Sequence, residues 1–195
     1  MDIESIADLE RASVEAGTLL QEIQNYCEQN DLNWEESVEA KVRFPRGFIR
    51  TASEQRERLP FIRNKALKDN LAYTLMLSDV VLWTKIRTDL VGVPREMLTK
   101  LFAFLIGALC ESITKHYLKG RCGKGYKERT LFLVEQEIIS ASLKEDLDWL
   151  WEIRNRMHLF LINSREYENE YDDSCHTRVV KTYRGLISAL RKHDS

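Results

Sequence analysis

The chain is poor in residues that break helices. Three prolines (Pro45, Pro60, Pro94) and eight glycines interrupt 195 residues, which argues against a strand-and-turn architecture. Strict apolar–polar alternation is absent, and so is any internal repeat. The four cysteines, Cys27, Cys110, Cys122 and Cys175, have no paired spacing. With no secretory pattern at the N-terminus, they read as reduced thiols in a cytoplasmic protein. A strong charge of one sign is missing too: the net charge of -2 excludes a generic, charge-driven nucleic-acid binder and leaves only local contacts of that kind. Long hydrophobic runs are also lacking. The most apolar stretch, LFAFLIGALC at 101 to 110, falls short of the roughly 20 residues of a membrane span and suits a buried core helix, so no membrane association is expected.

What is present is helical pattern and local charge. Residues 1 to 40 carry eleven acids and one base, Arg11, whereas residues 41 to 68 carry nine bases and two acids, Glu54 and Glu57. Two complementary solvated faces account for this, as would an acidic arm masking a basic surface. The first helix spans about 3 to 29. After the break at Pro45 and Gly47, Thr51 and Glu54 have capping-box spacing for a short helix that ends before Pro60. Long helices follow over about Phe61–Leu90 and Arg95–Leu118. KGRCGKGYKER at 119 to 129 reads as a Gly-rich basic loop, and a short helix covers Thr130–Ile138. Ser142 with Glu145 forms a second capping box, opening a helix to about Asn163. Beyond the acidic loop with Tyr167 and Tyr171, Val179, Val180, Tyr183, Leu186, Ile187 and Leu190 mark a terminal amphipathic helix. The expected fold class is all-α: a bundle over 60–195 with an N-terminal helical extension over 1–59.

Helical phase gives the most informative feature. Leu143, Leu147, Leu150, Trp151, Ile153, Met157 and Leu161 share one arc, and Arg154 and His158 fall inside it, while Glu145, Asp148, Glu152 and Asn155 lie opposite. A guanidinium left buried without a partner costs several kcal/mol. Three arrangements avoid that cost: an internal carboxylate, a subunit interface, or a cleft open to an anion. Arg with His suits phosphate chemistry, since the guanidinium clamps non-bridging oxygens and the imidazole moves protons.

At these residues, in KERTLFLVEQEIISASLKEDLDWLWEIRNRMHL, the chain resembles the HEPN superfamily of small helical bundles found in toxins, phage-defence proteins and RNA-processing factors. The likeness covers roughly residues 60 to 192. It implies a homodimer with two Arg–His pairs facing one cleft, RNA as substrate, a possible antitoxin or regulatory protein, and no metal or other cofactor. In catalytic members a ribose 2′-hydroxyl attacks the adjacent phosphate and leaves a 2′,3′-cyclic phosphate. Carried over, His158 acts as general acid or base, Arg154 stabilises the phosphorane, and Asn155 orients the phosphate or the imidazole. Three residues separate Arg154 from His158, where active members carry four to six. This leaves a second reading open, a non-catalytic HEPN-like module binding RNA or protein. A purely structural Arg–His pair in an unrelated scaffold is the third.

For RNA contact the basic loop offers Lys119, Arg121, Lys124, Lys127 and Arg129. It lacks the spacing of a phosphate-binding P-loop. His116, His176 and His193 form no ligand spacing with one another or with the cysteines, so no metal is expected. Trp83, Trp149 and Trp151 read as core or interface anchors.

Overall fold

The computed structural model describes residues 2–32, 38–157 and 166–194. Seven α-helices account for most of the chain, with no strand among the described residues. The all-α expectation holds.

The chain divides into two compact units, Met1–Pro45 and Arg46–Ser195. The first is built on α1 (Ile6–Gln29), capped by Ser5, whose hydroxyl accepts the Asp8 amide at 3.1 Å. No residue of α1 is buried, and Ile6, Leu9, Val14, Leu19 and Leu20 are exposed. A short 3-10 turn follows at Val38–Ala40.

The second unit holds α2 (Ala52–Glu57), α3 (Lys65–Arg87), α4 (Val93–Tyr117), α5 (Tyr126–Glu135), α6 (Ala141–Asn155) and α7 (Asp173–Asp194). Residues 46–59, grouped by sequence with the extension, belong to this unit, and α2 packs on α3. The Thr51 capping box forms as the spacing predicts: the Thr51 amide donates to Glu54 at 2.7 Å, and the Glu54 amide to the Thr51 hydroxyl at 3.3 Å. Helix α3 starts later than the pattern indicates because the Asn64 side chain accepts the Leu67 amide at 2.8 Å. Phe61 and Ile62 ahead of it are buried in the core.

Helix α4 is the axis of the unit and packs against α3, α5, α6 and α7. The ten-residue apolar run is its middle. By length and composition α4 is the one described helix apolar enough to cross a bilayer, but 61% of the qualifying stretch is buried inside the protein. Phe102, Ile106, Leu109 and Ile113 on α4 meet Leu147, Leu150, Val179, Leu186 and Leu190 in one core, where Leu147, Leu150, Leu186 and Leu190 are fully buried. Each such side chain contributes about 1.5–3 kcal/mol by leaving water.

Further boundaries around α5 and α6 differ from the sequence expectation. Helix α5 begins at Tyr126, inside the expected basic loop, because the Glu128 carboxylate folds back to accept the Gly125 amide at 2.9 Å. Helix α6 is capped by Ser140, whose hydroxyl accepts the Leu143 amide at 3.2 Å, leaving Ser142 in the first turn. It ends at Asn155, short of the expected Asn163, with Arg156 as its C-cap. Helix α7 starts where the Asp172 carboxylate accepts the Cys175 amide at 2.8 Å.

Candidate functional site

Arg154 emerges from the last turn of α6 where that helix passes close to α4. The crossing is close because position 107 of α4 is glycine: a Cβ there would lie 2.8 Å from Arg154 Cβ and 3.3 Å from the Leu150 carbonyl oxygen. One turn further along α4, Glu111 meets the guanidinium, Nη2 to Oε2, at 2.9 Å. Nη1 donates to the Asn155 side-chain oxygen at 2.9 Å. Nε is buried and has no hydrogen-bond partner among the described residues. The side chains of Arg154 and Glu111 are 29% and 30% exposed, so the pair sits at the edge of the core with one side reachable from solvent.

Arg154 thus lies on the α4-facing side of α6, as helical phase predicts, and the partner it requires is an internal carboxylate. Asn155 adjoins it. His158, the third expected member of the site, lies outside the described residues. Arg156, between them in sequence, is tied elsewhere: its charge helps hold the Glu166 carboxyl below the usual range.

The five basic residues of the 119–129 segment separate into two groups. Lys119, Arg121 and Lys124 are exposed on the α4–α5 connection. Lys127 pairs with Glu152 of α6 at 2.7 Å. Arg129 is 4% exposed, lies 5.5 Å from the Tyr126 ring centre and donates to the Lys124 carbonyl. Tyr126 in turn stacks on Trp151 with centroids 5.6 Å apart, which fastens α5 to α6. Trp149 lies under Arg178 of α7 at 4.1 Å. Both tryptophans act as packing anchors. Tyr171 is 2% exposed and serves as an internal contact.

Arg121 belongs to a cleft that sequence order conceals. Phe61, Arg63, His116, Tyr117, Arg121, His193 and Asp194 line a space of about 350 Å³ where the ends of α4 and α7 meet the segment before α3. The Tyr117 hydroxyl and His193 Nδ1 are 2.7 Å apart. The Arg121 guanidinium lies 5.9 Å from the Tyr117 ring centre, and Phe61 meets that ring edge-on at 6.0 Å. Burial pushes the Tyr117 phenol up, the Asp194 charge adds to this and Arg121 offsets part of it, so the hydroxyl stays protonated as a donor. The guanidiniums of Arg63 and Arg121 line the cleft with one carboxylate, Asp194, which gives it a positive excess.

Residues from three distant stretches build this cleft, so no local spacing announces it. The signal available was compositional: His116 and Tyr117 close the most apolar helix, and Arg121 follows four residues later on the connection. Glu111 was likewise unmarked by spacing. Among the described residues no group of three or more His, Cys, Asp or Glu side chains could hold a metal ion. Compared with family models, curated proteins and solved structures, the chain gives no match.

Proposed function

We propose that the second unit is a non-catalytic HEPN-like module that binds single-stranded RNA through the cleft at the α4–α5 connection. The observation that carries this reading is the cleft itself, with Arg63, His116, Arg121 and His193 around the partly exposed ring of Tyr117. Guanidiniums contact phosphates, and an aromatic face takes a base without demanding its identity. Lys119 and Lys124 extend the positive surface along the connection. The Arg154–Glu111 pair supports binding over cutting, because a phosphate at Arg154 would have to displace a carboxylate already 2.9 Å away.

Binding of a fluorescent oligoribonucleotide should weaken with salt. Four phosphate contacts, from Lys119, Arg63, Arg121 and Lys124, give a log–log slope of about -3 for a single strand. Arg63→Gln and Arg121→Gln should each lower the slope by about 0.7. Binding that ignores both substitutions would overturn the reading.

One observation favours a second reading, the dimeric, metal-independent endoribonuclease. The Arg154 guanidinium, in a side chain 29% exposed, keeps a buried Nε that has no partner among the described residues, a donor that a bound phosphate would satisfy. In that reading Arg154, Asn155 and His158 carry the reaction, and cleavage persists in EDTA but is lost in His158→Ala. No cleavage by the wild type at micromolar protein excludes it.

A further inference from the structure

A second polar recess lies between the α2–α3 corner and α7, away from the RNA cleft proposed above. Asp79 of α3, 5% exposed, is its anchor. Its carboxylate accepts the Arg50 amide at 3.2 Å and Gln55 Nε2 at 3.0 Å, and Arg50 Nη1 approaches to 3.5 Å. Gln55, fully buried, passes the contact on by accepting from Arg58 Nη1 at 2.8 Å. Arg58 then lies over the Tyr183 ring at 6.0 Å. Arg184, exposed on α7, completes the rim of a cavity of about 70 Å³.

Two independent features of this recess ask for a ligand. Tyr183 is 5% exposed and lines the cavity, yet its hydroxyl is buried and has no hydrogen-bond partner among the described residues. An orphaned buried hydroxyl costs about 1–3 kcal/mol. Three guanidiniums, those of Arg50, Arg58 and Arg184, also face a single carboxylate, Asp79, an excess of two positive charges at the cavity. Burial pushes the Arg58 guanidinium down from its ordinary value; Tyr183 and Asp79 resist this, while Arg50 and Arg191 add to it. Burial also pushes the Tyr183 phenol up, which keeps it a donor.

We propose that this recess binds the phosphate group of a small phosphomonoester or of free phosphate, with Arg50, Arg58 and Arg184 clamping its oxygens and the Tyr183 hydroxyl donating from within. A phosphomonoester carries about -1.5 to -2 charges at neutral pH, which matches the excess of two. At about 10–15 Å³ per water-sized probe, the cavity of about 70 Å³ holds roughly five such atoms, the size of a phosphate. Guanidinium forks suit tetrahedral oxyanions geometrically as well as electrically.

The test uses the full chain, thermal melts at constant ionic strength, and inorganic phosphate and phenyl phosphate as probes. Each probe that binds should raise the melting temperature saturably, since a ligand that binds only the folded state stabilises by RT ln(1 + [L]/Kd). Tyr183→Phe should weaken that response at least tenfold, while its melting temperature without phosphate equals or exceeds that of wild type. Arg184→Gln, at an exposed rim position, should weaken it several-fold without lowering basal stability. Tighter binding of phenyl phosphate assigns the site to an organic monoester, and tighter binding of inorganic phosphate to the free ion. RNA affinity should be unchanged in Tyr183→Phe, which separates this site from the cleft at Arg121. A phosphate response absent in wild type, or equal in wild type and Tyr183→Phe, overturns the proposal and leaves water in the recess.

Discussion

Replacing Lys100 with methionine tests the ionic network that fastens the 166–172 segment to α4. Lys100 is 2% exposed, its ammonium bonds Glu166, and it lies 5.4 and 5.6 Å from the ring centres of Tyr167 and Tyr171. Glu166 is nearly as deeply placed, at 7% side-chain exposure, and its other oxygen accepts the Tyr171 hydroxyl at 2.8 Å. One turn before Lys100, Glu96 accepts the Asn169 and Tyr171 amides at 3.2 and 3.3 Å. Removing the lysine keeps most of the apolar stem but strands the carboxylate. Stranding one member of a buried pair costs about 3–5 kcal/mol. Arg156 remains near Glu166 and offsets part of that, so the lower end, about 3 kcal/mol, is expected. For a chain of this size that is a fall of about 6–12 °C in melting temperature.

The pH dependence sharpens the test. Burial pushes the Glu166 carboxyl up, but hydrogen bonds from Lys100 and Tyr171 and the charges of Lys100 and Arg156 outweigh it, and the net shift is downward from 4.5. A depressed acid contributes stability that is present above the unfolded value and lost as pH falls through the folded one. In Lys100→Met the stranded carboxylate instead gains from protonation. The gap between wild type and variant should therefore narrow as pH falls from 7 to 4. Urea melts across that range measure it, and Lys100→Met/Glu166→Leu should recover most of the loss. A deficit below about 1 kcal/mol at pH 7, or a gap that ignores pH, would refute the reasoning.

Gly107→Ala adds a methyl 2.8 Å from Arg154 Cβ; overpacking of about 1–3 kcal/mol should exceed the gain of about 1 kcal/mol in helix propensity, and a variant more stable than wild type contradicts it. His176 packs on Phe102 at 4.7 Å, and burial, with Lys85 and Arg95 adding and Asp173 opposing, pushes its imidazole down from 6.5 to about 4. A depressed base is neutral in the folded state, so stability should be complete above pH 6.5 and fall between 6.5 and 4; His176→Leu should flatten that part of the profile in denaturant melts. Ser140→Ala should cost about 1 kcal/mol and Ser142→Ala close to nothing, and equal costs would restore the cap to residue 142.

The order of helices was legible because their apolar periodicity is strong, and Thr51 with Glu54 announced its own cap. Boundaries failed where two signals competed. Ser140 and Ser142 both precede the same apolar run, and only Ser142 has an acid three residues on, yet Ser140 is the cap. KGYKER reads as basic loop, but Gly123 and Gly125 leave room for the Glu128 carboxylate to turn back, since a Cβ at Gly123 would lie 2.1 Å from it. That lets α5 begin early and takes Lys127 and Arg129 into a helix. The Asp79, Glu166 and Glu96 contacts were not legible at all. Their partners lie far away in sequence, as in Lys100 and Glu166, 66 positions apart.

Arg154 shows where such a limit falls and how it is crossed. Phase puts the arginine on the buried row, and its permanent charge then requires an anion, but phase alone does not choose among thirty-one acids. The choice is made on the other helix. A glycine inside the most apolar helix of the chain forgoes about 1 kcal/mol of propensity relative to alanine, which is reasonable only where something must come close. Glu111 lies four residues beyond Gly107, on the same stripe of α4, so whatever approaches the glycine meets the carboxylate one turn later. Arg154 is what approaches, with Cβ over Gly107 and guanidinium on Glu111. The glycine and the acid together form a seat for one arginine, and that seat already supplies the charge a phosphate would bring. Any phosphate chemistry at Arg154 must begin by moving Glu111 aside, so Glu111→Gln, which keeps the shape and removes the charge, should raise RNA affinity at this site if RNA reaches it and leave affinity unchanged if the pair is structural.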